Sequence, residues 1–439
     1  MGFVFFLVYL ALSYLRPWEL DESLLSLPIM PVASAVAAGA TMFSLFLGRG
    51  PTSRSSQPYL ALAFLVWAMC SFVLATRWLG GASSVLEGLQ APLLIFFLAF
   101  LNVDTVSRFR TTAGILGVLA LFLVGQGIAA FHFGYHKDLL LLGGHSLEEE
   151  AETDVDDEAA SEPVSRIRSV GALADPNDLA QALLSLSPFL LAFRRPGSRF
   201  RNTLMVWAPL LGILYGVGLT KSRGAVIAIL GLVFFALRDR LGRTLSLGLA
   251  GTAAIGLLAL GLTGGRAISM DESSEGRIDA WAGGLQMLRA SPVWGVGFGN
   301  FAEVNHLAAH NSFVNCFAET GLVGYFLWLF LVALTLAEAA TLAKIDGEDR
   351  AAADLARWGR AVHLSLVAFL TASLFLSRTY SSVLFLLLGL GAALSDIARR
   401  RGVEPNPRPL SRWAPRILGM EIGTVILVKI MALVLSQMA

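Results

Sequence analysis

Charge is what this sequence has least of. Of 439 residues, 15% are Asp, Glu, Lys or Arg and 55% are hydrophobic, whereas a soluble chain carries roughly a quarter charged residues. With a mean hydropathy of +0.67, that scarcity excludes an ordinary water-soluble domain. Cysteine is nearly absent as well. Cys70 and Cys316 both sit in apolar segments, which excludes a disulfide framework, leaves no thiolate spacing for a metal, and reads as buried packing. The N-terminus, MGFVFFLVYLALSYLRPWEL, lacks a basic leader and a small-residue cleavage site before Arg16-Pro17, so it reads as a retained first span. No internal repeat of the transporter kind is visible. The net charge of +1 carries no information about partners, and nothing points to nucleic acid.

What is abundant is apolar runs near the ~20 residues that a bilayer core requires. They fall near residues 2–16, 24–48, 58–76, 88–103, 111–131, 171–193, 203–220, 224–237, 244–262, 312–337, 361–377 and 380–397. The expected fold is an all-α polytopic membrane protein of about 12 transmembrane helices, several short enough to be tilted or broken. Alternate loops differ in charge. GRGPTSR, DTVSRFR, RRPGSRFR, RDRLGR, residues 338–360 and the arginine-rich segment after Arg399 are basic or mixed; the others are acidic or long. The positive-inside rule then places both the N-terminus and the Arg399 segment in the cytoplasm and the two longest loops outside. A last apolar stretch at 418–437 carries Glu421 and Lys429, and reads equally as an interfacial helix or a further span.

The chain divides into N-terminal spans over 1–131, an outer loop over 132–170, a core of spans over 171–397 that includes a second outer loop at 263–311, and a basic tail with the terminal helix over 398–439. The first loop contains HSLEEEAETDVDDEAASEP, a charge run without aromatics that reads as a solvated insert. Its Asp154-Val155-Asp156 resembles a metal-holding Asp-x-Asp, but nothing around it would fix ligand geometry. Neither a metal nor a cofactor is expected.

The stretch HLAAHNSFVNCFAETGLVGYF, residues 306–326, carries polar groups into an apolar run. On a helix, Asn311, Ser312, Asn315 and Glu319 fall within roughly a third of the circumference, opposite Phe313, Val314 and Phe317. Lipid cannot satisfy such a stripe, so it must face protein or a watery cavity; the reading taken is a cavity, with His310 at its mouth. Asn311 or Ser312 suits the helix start. Ala318, Gly321 and Gly324 would let a neighbouring helix approach closely.

Arginines gather on the same expected outer side. Arg223 lies in GLTKSRGAVIAIL, between two spans. Arg277 lies in EGRIDAWAGGLQMLRASPVWGVGFGNF, an amphipathic helix pattern ending at Ser-Pro and a glycine-rich turn. Arg168 precedes SVGALADPNDLAQALL, where Asp175-Pro176-Asn177-Asp178 interrupts a span. A forked guanidinium that stays charged suits phosphate. Together the arginines, the histidine and the broken helices suggest an anion site. GVGFGN has no strand–helix context and reads as a tight loop returning toward the membrane, not a dinucleotide fingerprint.

HN-SFVNCFAET-G-LV-G, from His310 to Gly324, resembles the signature of the O-antigen ligase and polymerase superfamily, integral-membrane glycosyltransferases that use polyprenyl-diphosphate-linked glycans. The similarity extends through R-IDAW-AGGLQMLRASPVWGVGFGNF, SRGA and DPND, roughly residues 165–330. The resemblance implies an active site of His310, Arg223 and Arg277, with Arg266 competing for the role of Arg277. Arg168, Arg266, Asn311, Asn315 and Glu319 are further candidates for substrate binding. It implies a polyprenyl-diphosphate-linked oligosaccharide as donor, a glycan, lipid A-core or protein as acceptor, and a multi-pass place in the bacterial inner membrane with the site facing the periplasm. The expected reaction is inverting and metal-independent, in surface polysaccharide assembly. A lipid-linked glycan flippase or other transporter is the alternative; it would place ionisable residues near mid-membrane on several helices, whereas here they cluster at one face.

Overall fold

The computed structural model describes residues 1–48, 55–143, 165–259, 272–345, 349–406 and 410–436. It is an all-α polytopic membrane protein, as expected. Its principal helices are α1 (Gly2–Leu15), α2 (Ile29–Phe46), α3 (Gln57–Thr76), α4 (Gly81–Asn102), α5 (Val106–Phe133), α6 (Pro176–Leu191), α7 (Ala208–Leu219), α8 (Arg223–Ala259), α9 (Glu272–Ala290), α10 (Phe301–Asn305), α11 (Ser312–Leu342), α12 (Arg350–Ala372), α13 (Ser382–Arg400) and α14 (Ala414–Ser436). Among the described residues the only sheet is a two-residue antiparallel ladder, Leu141–Leu142 with Arg166–Ile167.

Nine helical segments among the described residues are long and apolar enough to cross a membrane. The difference from about 12 has identifiable causes. α6 is 16 residues long, because Asp175 and Pro176 start it instead of interrupting it: the Asp175 carboxylate accepts from Asn177 N at 2.6 Å, and proline takes the first turn. The two spans expected at 224–237 and 244–262 are the limbs of α8. Its backbone leaves helical values at Gly242, beside the charges of RDRLGR, and residues 260–262 lie outside the described residues. α12 carries Arg350, Asp354, Arg357 and Arg360 through its first half. The added segment is α14. It lies along α11, with a hydrogen bond of 2.7 Å between the Tyr325 and Thr424 hydroxyls, and presents Ile422, Ile426, Leu427 and Ile430 outward.

The helices form a centre and a periphery. The apolar window of α13 is 89% buried, against 11% for α2; exposed Met42, Phe43 and Phe46 on α2 are what a lipid-facing surface requires. α13 packs on α4 and α12, α11 on α3, and α6 on α5 and α12. Cys316 is buried as expected, but Cys70 on α3 is exposed, and both are free thiols.

The two ends of the bundle differ in chemistry. At one end Gln57 Nε2 donates to Glu338 Oε2 at 2.7 Å and Glu338 pairs with Arg399. At the other, loops preceding α6, α8, α11 and α13 converge.

Candidate functional site

The converging end is organised by a break in α11. Gly321 has φ 65° and ψ −174°, a conformation open essentially to glycine. There the helix ladder is interrupted, and carbonyls that would accept from the next turn need other donors. The segment Pro292–Asn300 supplies them. Val296 N donates to Ala318 O and Gly297 N to Glu319 O, each at 2.9 Å, while Leu322 N donates to Pro292 O at 2.9 Å. From α3, Trp67 Nε1 donates to Thr320 O at 2.9 Å, and the Ser71 hydroxyl donates to Trp294 O at 2.6 Å. Gly295, at φ 68°, lies so close that a Cβ there would stand 2.5 Å from the Ala318 and Glu319 carbonyl oxygens. The glycine-rich turn is thus a loop pressed against a broken helix.

Glu319 holds the same loop with its side chain. Only 3% exposed, its carboxylate accepts from Phe301 N at 3.3 Å, from Asn315 Nδ2 at 3.2 Å and from the Tyr380 hydroxyl at 2.8 Å. Phe301 begins α10, so the carboxylate also sits where that short helix exposes its amides. Burial first, and then the adjacent Glu319 charge, push the Tyr380 phenol well above its usual value; it stays a protonated donor.

Asn311 caps α11, its Oδ1 accepting from Phe313 N at 2.9 Å and Val314 N at 3.2 Å. Ser312, fully buried, donates to Leu376 O at 2.6 Å and accepts from Arg378 N at 2.8 Å. The polar stripe therefore meets protein: it clamps the loop before α13 on one side and the loop before α10 on the other. Of the two environments that could satisfy it, protein groups of neighbouring loops, backbone and side chain alike, supply the partners found. Gly324 meets a neighbour as expected, since a Cβ there would stand 2.8 Å from Trp67 Cδ1 on α3, whereas Gly321 faces the loop and not a helix.

His310 lies half-buried between these clamps with φ 45°, a left-handed backbone that non-glycine residues adopt uncommonly. Its neighbour Ala309 is fully buried and accepts from Trp281 Nε1 of α9 at 3.1 Å. Arg277 is one helical turn before Trp281, so α9 carries its arginine along the face that contacts the His310 segment. α9 ends at Ala290, ahead of Ser291-Pro292, as its pattern predicts.

Arg223 opens α8 and is half-buried. Gly224 faces Phe375, in the loop whose Ser373 O accepts from Ser312 N at 2.8 Å, so the Arg223 segment and the His310 segment share that loop. Beside them Arg166 Nε donates to Thr220 O at 2.9 Å and its Nη2 to Asn177 Oδ1 at 3.2 Å. Asp178, 4% exposed, pairs with Arg378. Arg168 is spent on carbonyls, donating to Leu139 O at 2.9 Å and Asp138 O at 3.3 Å. Arg266 and Asp154-Val155-Asp156 lie outside the described residues. Among the described residues no three His, Cys, Asp or Glu side chains gather as metal ligands.

Reading the sequence missed Arg166, Arg378, Tyr380 and Trp281. Arg378 and Tyr380 stood in view in SRTYS, a short polar loop between two strongly apolar spans, which was the available signal.

Residues 208–329 match the family model described as O-antigen ligase. That interval contains Arg223, Arg277 and His310 together with the α11 break. No curated protein matches the chain.

Proposed function

From a chain that belongs, through residues 208–329, to the O-antigen ligase and polymerase superfamily, we propose that the His310 end transfers a glycan from a polyprenyl diphosphate carrier to an acceptor hydroxyl. The observation that carries this reading is that Arg223, Arg277 and His310 all fall in the matched interval, on segments tied to one end of the bundle.

The acceptor oxygen attacks the anomeric carbon, the carbon–oxygen bond to the lipid diphosphate breaks, and the diphosphate leaves with the electron pair. Negative charge grows on the leaving group, and two guanidiniums held in fixed positions stabilise it. Arg223 and Arg277 take that role and make a divalent ion unnecessary. The acceptor proton goes to His310, whose neutral imidazole is available near pH 7. Asn311, Asn315 and Glu319 serve the substrate by holding the two loops that frame it, and Arg168 by fixing the loop before α6. Arg266 competes with Arg277 for the second diphosphate contact. A single in-line displacement inverts the anomeric centre.

The carrier is reached from the outer leaflet of the bacterial inner membrane, where charge alternation in the loops puts this end. The acceptor is lipid A-core, the end of another repeat unit, or a protein, in surface polysaccharide assembly. The test combines Arg223→Ala, Arg277→Ala and His310→Ala with proton NMR of the product anomer. Turnover lost in folded variants, product of inverted configuration and activity that survives chelation are expected. Retained configuration refutes the single displacement, and loss on chelation refutes the role given to the arginines.

A further inference from the structure

The far end of the bundle holds a recess that the reaction does not use. α8, α12 and the C-terminal end of α11 leave a shallow recess of about 30 Å³ that opens to solvent, lined by Phe235, Arg238, Arg240, Lys344, Arg360 and His363 among others. It is separated from His310 by the length of α11, on the order of 45 Å of helix at ~1.5 Å per residue.

Charge is what distinguishes it. None of its ten lining residues is acidic. Arg240 and Lys344 enter no ion pair among the described residues. The cations come from α8, from α12 and from the turn that follows α11, and are not one basic run. Two are steered by neighbours: Arg238 Cζ lies 5.1 Å over the Phe235 ring, and Arg360 Nη2 reaches Ala343 O at 3.5 Å at the C-terminus of α11. The Phe235 ring in turn meets His363 edge-on at 6.1 Å. The result is an apolar floor under cations at the edge of an apolar bundle. Like charges collected this way lower their mutual repulsion when a multivalent anion sits among them, and guanidiniums favour phosphate oxygens.

We infer that this recess binds a phosphate-bearing anion, the shared chemistry of an anionic lipid head group and of free diphosphate. Basic pockets between membrane helices take such head groups for this reason. The site stands apart from the glycan-transfer reading and does not depend on it.

The test is native mass spectrometry of the full chain released from detergent after exposure to cardiolipin, to phosphatidylcholine, or to inorganic pyrophosphate. Wild type is compared with Arg238→Gln/Arg240→Gln/Arg360→Gln, with the single reversal Lys344→Glu at an exposed position, and with Arg412→Gln/Arg416→Gln in the basic tail. Cardiolipin retention by wild type and by the tail variant, weakened roughly a hundredfold when three recess cations go, is expected. Lys344→Glu, which keeps the other lining residues, reports the same loss should the triple variant fold poorly. Pyrophosphate that displaces cardiolipin assigns the recess to free phosphates too; cardiolipin held against pyrophosphate assigns it to the lipid, and both support the site. Retention unaffected by the recess substitutions, or no preference over phosphatidylcholine, overturns it.

Discussion

Replacing Gly321 by alanine attacks the feature on which the whole outer end depends. At φ 65° and ψ −174° a side chain costs about 1–3 kcal/mol in backbone strain alone. The added Cβ would also stand 2.2 Å from Val293 O and 2.6 Å from Trp294 N. These are backbone atoms, so no side-chain rotation relieves the clash and the loop must move. Moving it breaks the three hydrogen bonds from Val296 N, Gly297 N and Leu322 N, each worth about 1 kcal/mol. The docked loop therefore loses on the order of 4–6 kcal/mol, about a thousandfold or more in its equilibrium with an undocked form. Hydrogen exchange on the purified protein reads this directly. In Gly321→Ala the amides of 296, 297 and 322 should lose protection by that order while those of α13 do not change. Gly125→Ala, with open space around its Cβ position, should leave both unchanged. If a folded Gly321→Ala protein keeps the loop amides protected, the idea that the break and the loop stabilise each other is wrong.

Three further outcomes follow from the same geometry. In Glu319→Gln one oxygen still accepts from Phe301 N, but the new amide nitrogen cannot accept from the Tyr380 hydroxyl, so loop protection should fall by about 1–3 kcal/mol, read by the same exchange, and Tyr380→Phe should reproduce part of it. Arg378→Ala leaves the buried Asp178 carboxylate without that partner, a loss on the order of 3 kcal/mol; thermal denaturation in detergent should show Arg378→Ala less stable than Arg378→Ala/Asp178→Asn, and the reverse order contradicts the pairing. Trp281→Phe removes the donor to Ala309 O, and a shift of the adjacent His310 should lower kcat about tenfold with little change in melting temperature.

Some of this was legible in the sequence and some was not, for physical reasons. Spans, the Asn311 cap and the end of α9 at Ser-Pro are local, and composition or one capping side chain decides them. The α11 break is not local. Ala318, Gly321 and Gly324 at intervals of three look like a surface for helix packing, and only the approach of Pro292–Asn300 shows that Gly321 is needed for its dihedral angles. The polar stripe was visible, but its partners were not: Tyr380 is 61 residues from Glu319, and Asp178 is 200 from Arg378. Reading DPND as an interruption missed that aspartate followed by proline is also how a helix begins. Arg223, Arg277 and His310 were found by motif, and what the structure adds is the loops that tie their segments together.

The activity proposed for this end of the bundle is glycosyl transfer. The most direct measurement is release of free polyprenyl diphosphate by the protein in nanodiscs, given a polyprenyl-diphosphate oligosaccharide with and without lipid A-core, glycan or peptide acceptors. Release that depends on an acceptor and disappears in folded His310→Ala, Arg223→Ala and Arg277→Ala proteins is expected. No release with any acceptor, together with passage of the intact lipid-linked glycan across a liposome bilayer, would contradict it and make the protein a transporter.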